Sequence, residues 1–258
     1  MLVTRTRFYL LLLAIAVVYS AAGVGLLDLA RITKGLGNIG IFVADMFPPD
    51  GSVVEAVSGA MVETIQIALV GTVIGTVLAL PLSLLAMPSL TNRAVAPVLR
   101  FILAFIRTVP ALLWGVLFVV AFGLGPTAGA VAIGLYSAGY LGKLFYELLE
   151  GVDPEVLEAV QSVGCSRLQL ARYALIPEAA NGLLAQLLFM FEYNVRSSSI
   201  MGFVGAGGIG YYMLGYIQLL RYDALFTALL VTLVVVLVLD VVSSRVRASF
   251  SLRSPSSE

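Results

Sequence analysis

Residues 8–27 read FYLLLLAIAVVYSAAGVGLL, twenty consecutive positions without a charged side chain. A helix rises about 1.5 Å per residue and bilayer hydrocarbon is roughly 30 Å thick, so about 20 such residues suffice to cross it. Arg5 and Arg7 precede the run, and Ser20-Ala21-Ala22 resembles a signal-peptide cleavage site. The apolar run is longer than the roughly 7–15 residues of a signal-peptide core, so a retained helix is expected. Five further stretches meet the same criterion, at about 60–87, 98–122, 127–149, 179–200 and 224–242. The expected fold is an all-α integral membrane protein with six transmembrane helices.

Composition supports that reading. Apolar residues make up 60% of the 258 positions and charged residues 12%, against about half and a quarter in soluble domains. The formal net charge is zero, which gives no bulk electrostatic reason to expect a nucleic-acid partner. One cysteine, Cys165, excludes an internal disulfide and a cysteine-cluster metal site. Histidine is absent, and with it the commonest general base and transition-metal ligand. No catalytic residue and no metal site are expected, and a membrane-embedded enzyme is disfavoured.

Loop charges set the expected orientation. With the N-terminus inside, the cytoplasmic segments carry Arg5, Arg7, Arg93, Arg100, Lys143, Arg167, Arg172, Arg245, Arg247 and Arg253. The outer segments carry only Arg31, Lys34 and Arg221. The positive-inside rule then places both termini in the cytoplasm. The outer connection 28–59 mixes Asp28, Asp45, Asp50 and Glu55 with apolar residues and fits a short helix on the membrane surface.

The inner connection 151–177 carries dense helix punctuation. Asp153 can cap a helix opened by Pro154. Val156, Leu157, Val160 and Val163 give that helix an apolar face, and Gly164 can end it in the left-handed region. Ser166 and Gln169 form a capping box for a second short helix, which Pro177 is expected to close. The predicted product is a cytoplasmic helix–Gly–helix elbow, and loops of this length and punctuation are usually functional.

Glu158-Ala159-Val160, with Gly164 and Pro177 downstream, resembles the EAA loop of ABC importer permeases. Val160, Ala174 and Ile176 depart mildly from that family's pattern. Further on, Phe191-Glu192-Tyr193-Asn194-Val195-Arg196-Ser197-Ser198 and Gly202-Phe203-Val204-Gly205-Ala206-Gly207-Gly208-Ile209-Gly210 are similar to the signature of the phosphonate type. Met46-Phe47-Pro48-Pro49-Asp50 and Glu63-Thr64-Ile65-Gln66 resemble the same family's entry into its core. The resemblance covers roughly residues 45–247. It implies an inner-membrane importer of a phosphonate or a related phosphorus oxyanion such as phosphite. It also implies a homodimer, two separate ATPase subunits carrying ATP and Mg, and an external substrate-binding protein. Glu158, Ala159, Gly164 and Pro177 would then couple the permease to its ATPase.

Residues 205–210 also match the literal G-x-G-x-x-G dinucleotide pattern, but a membrane helix precedes them where a strand is required. The cofactor reading is rejected. Gly202, Gly205, Gly207, Gly208 and Gly210 are read as an outer gate or packed hinge, with a flexible loop as the alternative. No G-x-x-x-x-G-K-[ST] loop occurs, so the chain binds no ATP in the Walker manner. Gly71-x-x-x-Gly75 signals close packing, within one subunit or between two.

Ionisable residues within spans are costly and therefore functional candidates. Glu192 and Arg196 lie four apart in the order that favours a helical ion pair. Lys143 and Glu147 share a stripe with Tyr136 and Tyr140 at helical spacing, and Arg107 stands just before Thr108-Val109-Pro110. Two readings stand: a water-lined anion path using Arg107, Tyr140, Glu192, Asn194 and Arg196, or internal neutralisation of the two acid–base pairs. Arg107 has no evident partner in sequence.

The expected organisation is an N-terminal helix with its outer segment (1–58), a transmembrane core (59–247) and a cytoplasmic tail (248–258). The rival reading is a secondary transporter or channel without an ATPase. It would show matched internal repeats, and no convincing half-to-half repeat is present.

Overall fold

The computed structural model describes residues 2–251, among which there are eleven α-helices and no β-strand. Arg253 and positions 252–258 of the expected tail lie outside the described residues. The chain divides at Pro49 and Asp50 into two units.

The first unit holds α1 (Leu2–Gly23) and α2 (Leu29–Asp45). Gly25 makes the turn between them at φ +76°, a conformation open to glycine at little cost. Asp28 then caps α2, its carboxylate accepting from the Arg31 amide at 3.0 Å. No residue of α2 is buried, so its apolar stripe of Leu29, Leu36, Ile39 and Val43 is bare.

The second unit begins with a 3-10 turn, Gly51–Val53, capped by Asp50. It continues through α3 (Val54–Leu85), α4 (Val95–Thr108), α5 (Ala111–Phe122), α6 (Pro126–Glu150) and α7 (Pro154–Ser162). After α8 (Arg167–Leu170) come a π turn (Ala171–Leu175), α9 (Ile176–Met201), a 3-10 turn (Gly202–Val204), α10 (Ile209–Gln218) and α11 (Tyr222–Ser251). Asp50 also pairs with Arg221 and accepts the Thr227 hydroxyl on its backbone carbonyl at 3.0 Å, tying the start of α3 to the start of α11. Hydrogen bonds from Ser52, with Arg221 beside it, hold the Asp50 carboxyl below its ordinary pKa.

Helix α6 is the hub, because its sequence lets neighbours approach its backbone. Gly129, Gly134, Gly139 and Gly142 are all buried on it, with Ala128, Ala132, Ser137 and Ala138. A Cβ built on Gly75 of α3 would stand 2.4 Å from Ser137 Cβ and 3.1 Å from the Gly134 carbonyl. One built on Gly71 would stand 2.6 Å from Ile133 Cγ2. The Gly71-x-x-x-Gly75 signal thus serves packing within one chain, α3 against α6. Gly139 and Gly142 likewise admit Ile106 and Leu103 of α4.

Among the described residues, four helical stretches are long and apolar enough to cross a membrane: 5–23, 51–85, 167–204 and 222–249. The pair α4 and α5 makes up to five if it counts as one span. Outward-facing Leu69, Val73 and Val77 of α3 and Leu233, Val234, Leu237 and Val238 of α11 are exposed, as lipid-facing positions should be. Helix α6 is not in this set; its small and hydroxylated residues face other helices, where little hydropathy is needed.

Two expectations about helix continuity are corrected. The stretch 98–122 is not one straight helix but bends by 88° between α4 and α5. Pro110 has no N–H and forces Val109 into extended geometry, φ −78° and ψ 121°. Conversely, Pro177 closes nothing. The helical path runs from Arg167 through the π turn into α9, with the Ile176 amide donating to the Ala171 carbonyl five residues back. That wider turn gives the proline ring room within a continuing helix.

Candidate functional site

The break at Pro110 leaves two helix ends side by side, with Thr108 and Pro110 exposed and Ala111 buried. Irregular backbone at membrane depth persists only where protein buries it or water reaches it. Here some of its groups find partners: the Trp114 indole donates to the Ile106 carbonyl at 3.1 Å, and the Thr108 hydroxyl to the Phe105 carbonyl at 2.7 Å. Arg107 occupies the last turn of α4. Its Nε is buried with no hydrogen-bond partner, and no ion pair involving it occurs among the described residues. The Arg107 backbone packs against Gly139 of α6, and Tyr136 of the same helix packs against the cluster that holds Ala111.

Tyr136 and Tyr140 of α6 and Tyr193 of α9 form a three-ring stack, with centroids 6.0–6.4 Å apart. Tyr193 is 37% exposed, so the stack forms part of an accessible wall rather than of the core. Tyr136 and Tyr140 lie on the α6 face that carries Gly139, against which the Arg107 backbone packs. Arg107, Tyr136, Tyr140 and Tyr193 therefore share one locality.

Asn194 is fully buried. Its Nδ2 donates to Thr72 Oγ1 of α3 and Ser137 Oγ of α6, both at 2.8 Å, joining three helices at one node. Its Oδ1 is buried without a partner. Glu192 is 6% exposed and pairs with Arg247 of α11 at 2.9 Å, while Arg196 lies 4.0 Å away and largely exposed. Pairing accounts for the Glu192 charge, but the principal partner is Arg247, fifty-five positions away. Lys143 and Glu147 pair at 2.7 Å. Arg100 pairs with Glu150, donates to the Ala86 carbonyl at 2.9 Å and lies 4.7 Å over the Tyr146 ring.

The glycine-rich segment is a packed one. Gly205, Gly207 and Gly208 all have φ near +80°. A Cβ on Gly207 would meet Glu63 Oε1 at 2.7 Å and Pro126 at 2.9 Å; one on Gly202 would meet the Tyr211 amide at 2.2 Å, and one on Gly210 the Ser199 carbonyl at 2.1 Å. Glu63 and Thr64 of α3 accept from the Gly208 and Ile209 amides, each at 2.8 Å, and so cap α10 from a different helix. Sequence reasoning missed α10. Its signal was available: a glycine at the cap position followed by the apolar run Ile209, Met213 and Tyr216.

At the opposite end of the second unit, the Asp153 carboxylate accepts from the Glu155 amide at 2.9 Å to open α7. Gly164 turns the chain at φ +76°, and Ser166 and Gln169 cap α8 reciprocally. Leu157 packs toward Met87, Leu149, Val152 and Leu175. Glu158 and Ala159 face outward, flanked by Val163 at 81% exposure and Leu168 at 78%. Apolar side chains that bare, beside a carboxylate, form a surface suited to a protein partner.

Comparison with known proteins places the chain. It is 36% identical to the putative phosphite transport system permease protein HtxC of Stutzerimonas stutzeri, over 86% of this chain and 79% of that protein. It is 34% identical to the phosphite transport system permease protein PtxC of the same organism, over 88% and 83%. Its fold is similar to a chain of the MetNI methionine ABC transporter in an inward-facing conformation, with a TM-score of 0.68 at 22% identity over 78% of this chain and 99% of that one. The family described as binding-protein-dependent transport system inner membrane component matches residues 71–253. This chain, a multi-pass helical membrane protein, belongs to that family.

Proposed function

We propose that the protein is the permease subunit of an ATP-driven importer for a phosphonate or a related phosphorus oxyanion, phosphite first among them. The observation that carries this reading is the 34–36% identity to two phosphite transport permeases over nearly nine-tenths of the chain. Moving an anion into a cell with an inside-negative potential costs about 2.3 kcal/mol per charge per 100 mV. The sequence carries no G-x-x-x-x-G-K-[ST] loop, so in this reading that work comes from a separate ATPase with its ATP and Mg.

In this reading the bent pair α4–α5 is one span and α6 is another, which makes six in all, with both termini cytoplasmic. The exposed edge of α7, with Glu158 and Ala159, seats on the ATPase, and Gly164 sets its angle to α8. Pro177 acts by shaping the π turn that joins this elbow to α9, so that movement of the elbow is transmitted along a continuous helix. Two copies of the chain, two ATPase subunits and an external binding protein complete the assembly. The packed segment 202–210, braced by Glu63 and Thr64, closes the outer end as a gate with two arrangements rather than as a flexible loop.

The test is uptake by proteoliposomes holding the permease with its ATPase and binding protein. Phosphite uptake that requires ATP and competes with methylphosphonate is the expected result. Uptake without ATPase would point to a secondary transporter or channel, and methionine or sulfate uptake in place of phosphite would refute the substrate class.

A further inference from the structure

The break between α4 and α5 combines features that together describe an anion site. Helix α5 begins at Ala111 beneath Pro110, which supplies no side-chain cap. The first amides of α5 to bond are those of Leu113 and Trp114, both to the Pro110 carbonyl. The amides of Ala111 and Leu112 therefore point out of the helix start, where the positive end of the helix dipole also lies. One turn back, Arg107 presents a buried Nε–H without a partner. Tyr136 packs against the cluster that holds Ala111 at the start of α5, and Tyr140 and Tyr193 extend the same wall.

Every polar group named here is a hydrogen-bond donor or can be one, and three acids of α6 and α9 are engaged elsewhere: Glu192 with Arg247, Glu147 with Lys143 and Glu150 with Arg100. A cation at membrane depth without an acid is expensive unless water or an anion balances it. A broken helix whose second half opens toward an anion is a known physical solution for binding charge within a membrane. Resting on the importer reading above, we infer that Arg107, the α5 N-terminus and the Tyr136 hydroxyl form a transient site for one tetrahedral phosphorus oxyanion within the permease itself. Arginine suits this role because its planar fork bonds two oxygens at once. Substrate selection then has a second checkpoint after the external binding protein.

The competing account is structural, with Arg107 merely balancing the C-terminal dipole of α4. The two separate in the solubilised permease–ATPase complex without binding protein, heated in rising sodium phosphite, with sodium chloride at matched ionic strength as control. The melting midpoint of the parent complex should rise with phosphite and not with chloride. Arg107→Gln should raise the phosphite concentration needed for half the rise by about tenfold or more, as loss of a charge-assisted contact does. Arg107→Lys should fall between, and Tyr136→Phe should weaken the response less than Arg107→Gln does. The same half-effect concentration in Arg107→Gln and parent overturns the site. So does a rise produced equally by chloride, or no rise in a parent that takes up phosphite in proteoliposomes. A parent that takes up no phosphite at all refutes the importer reading instead. Should Arg107→Gln not survive purification, Arg107→Lys carries the test, and an unweakened response in that variant overturns the site.

Discussion

Substituting Gly75 by valine tests the α3–α6 seam on which the rest of the bundle is hung. The Cβ of the new side chain would lie 2.4 Å from Ser137 Cβ and 3.1 Å from the Ala138 amide nitrogen and Gly134 carbonyl. Carbon atoms rest at about 3.5–4.0 Å, so the two helices must separate by roughly 1 Å. The atoms opposed are a Cβ and backbone, neither of which can rotate away. Overpacking of this kind costs about 1–3 kcal/mol. The same opening stretches the Asn194 bonds to Thr72 and Ser137, now 2.8 Å each, beyond hydrogen-bonding distance, adding about 1 kcal/mol for each. A total of about 3–5 kcal/mol should lower the melting midpoint by on the order of 10 °C. The assay is fluorescence-detected size exclusion after heating the detergent-solubilised protein. Gly35→Ala is the control: it lies in α2, where an added Cβ meets nothing within 4 Å, so it should be neutral or slightly stabilising. If Gly75→Val melts within about 2 °C of the parent, the close approach of α3 and α6 is refuted.

Gly164 sits at φ +76° with open space around its missing Cβ, so the cost of substitution there is purely conformational. Gly164→Val should abolish ATP-coupled uptake while the spans still insert, whereas Gly164→Asn, which tolerates the left-handed region, should retain most of it; equal uptake by both would remove the elbow from coupling. Cys165 is the one thiol in the chain, and a membrane-impermeant maleimide should label it in inverted vesicles and not in intact cells. Labelling from the outer side alone would reverse the topology inferred from loop charges.

How far the fold could be read from sequence depended on the range of the interaction. Runs of apolar residues located α3, α9 and α11, because crossing a bilayer is a one-dimensional length requirement. The start of α3 lies at Val54 rather than near residue 60, whereas the apolar run read from sequence places Glu55 in the outer connection. A first-turn acid is in fact favourable to a helix, and Glu63 earns its place by capping α10. Pro110 and Pro177 carry opposite outcomes from the same residue type. The first breaks a helix where Val109 is free to extend, and the second is absorbed by a π turn; nothing in the local sequence separates the two. The partner of Gly71 and Gly75 likewise emerged only when α6 presented Gly134 and Ser137 to them.

The candidate site shows the same division, and the division is informative about function. Pairs four residues apart, such as Lys143 with Glu147, can be written down from spacing alone. Glu192 could not be resolved in that way, because its strongest partner is Arg247 on another helix. That pair makes it a clasp between α9 and α11. Asn194 likewise is a node of three helices, since both of its amide protons are committed to α3 and α6. What distinguishes Arg107 is that the three-dimensional fold had every opportunity to supply an acid and did not. Buried polar atoms without partners cost about 1–3 kcal/mol each, and only two side-chain atoms, Arg107 Nε and Asn194 Oδ1, are in that state among the described residues. One is a donor on a charged group at a helix break beside an accessible tyrosine wall. The other is a carbonyl sealed among three helices. An anion entering between α4 and α5 would meet the first, and the phosphite-dependent melting of Arg107→Gln tests whether one does.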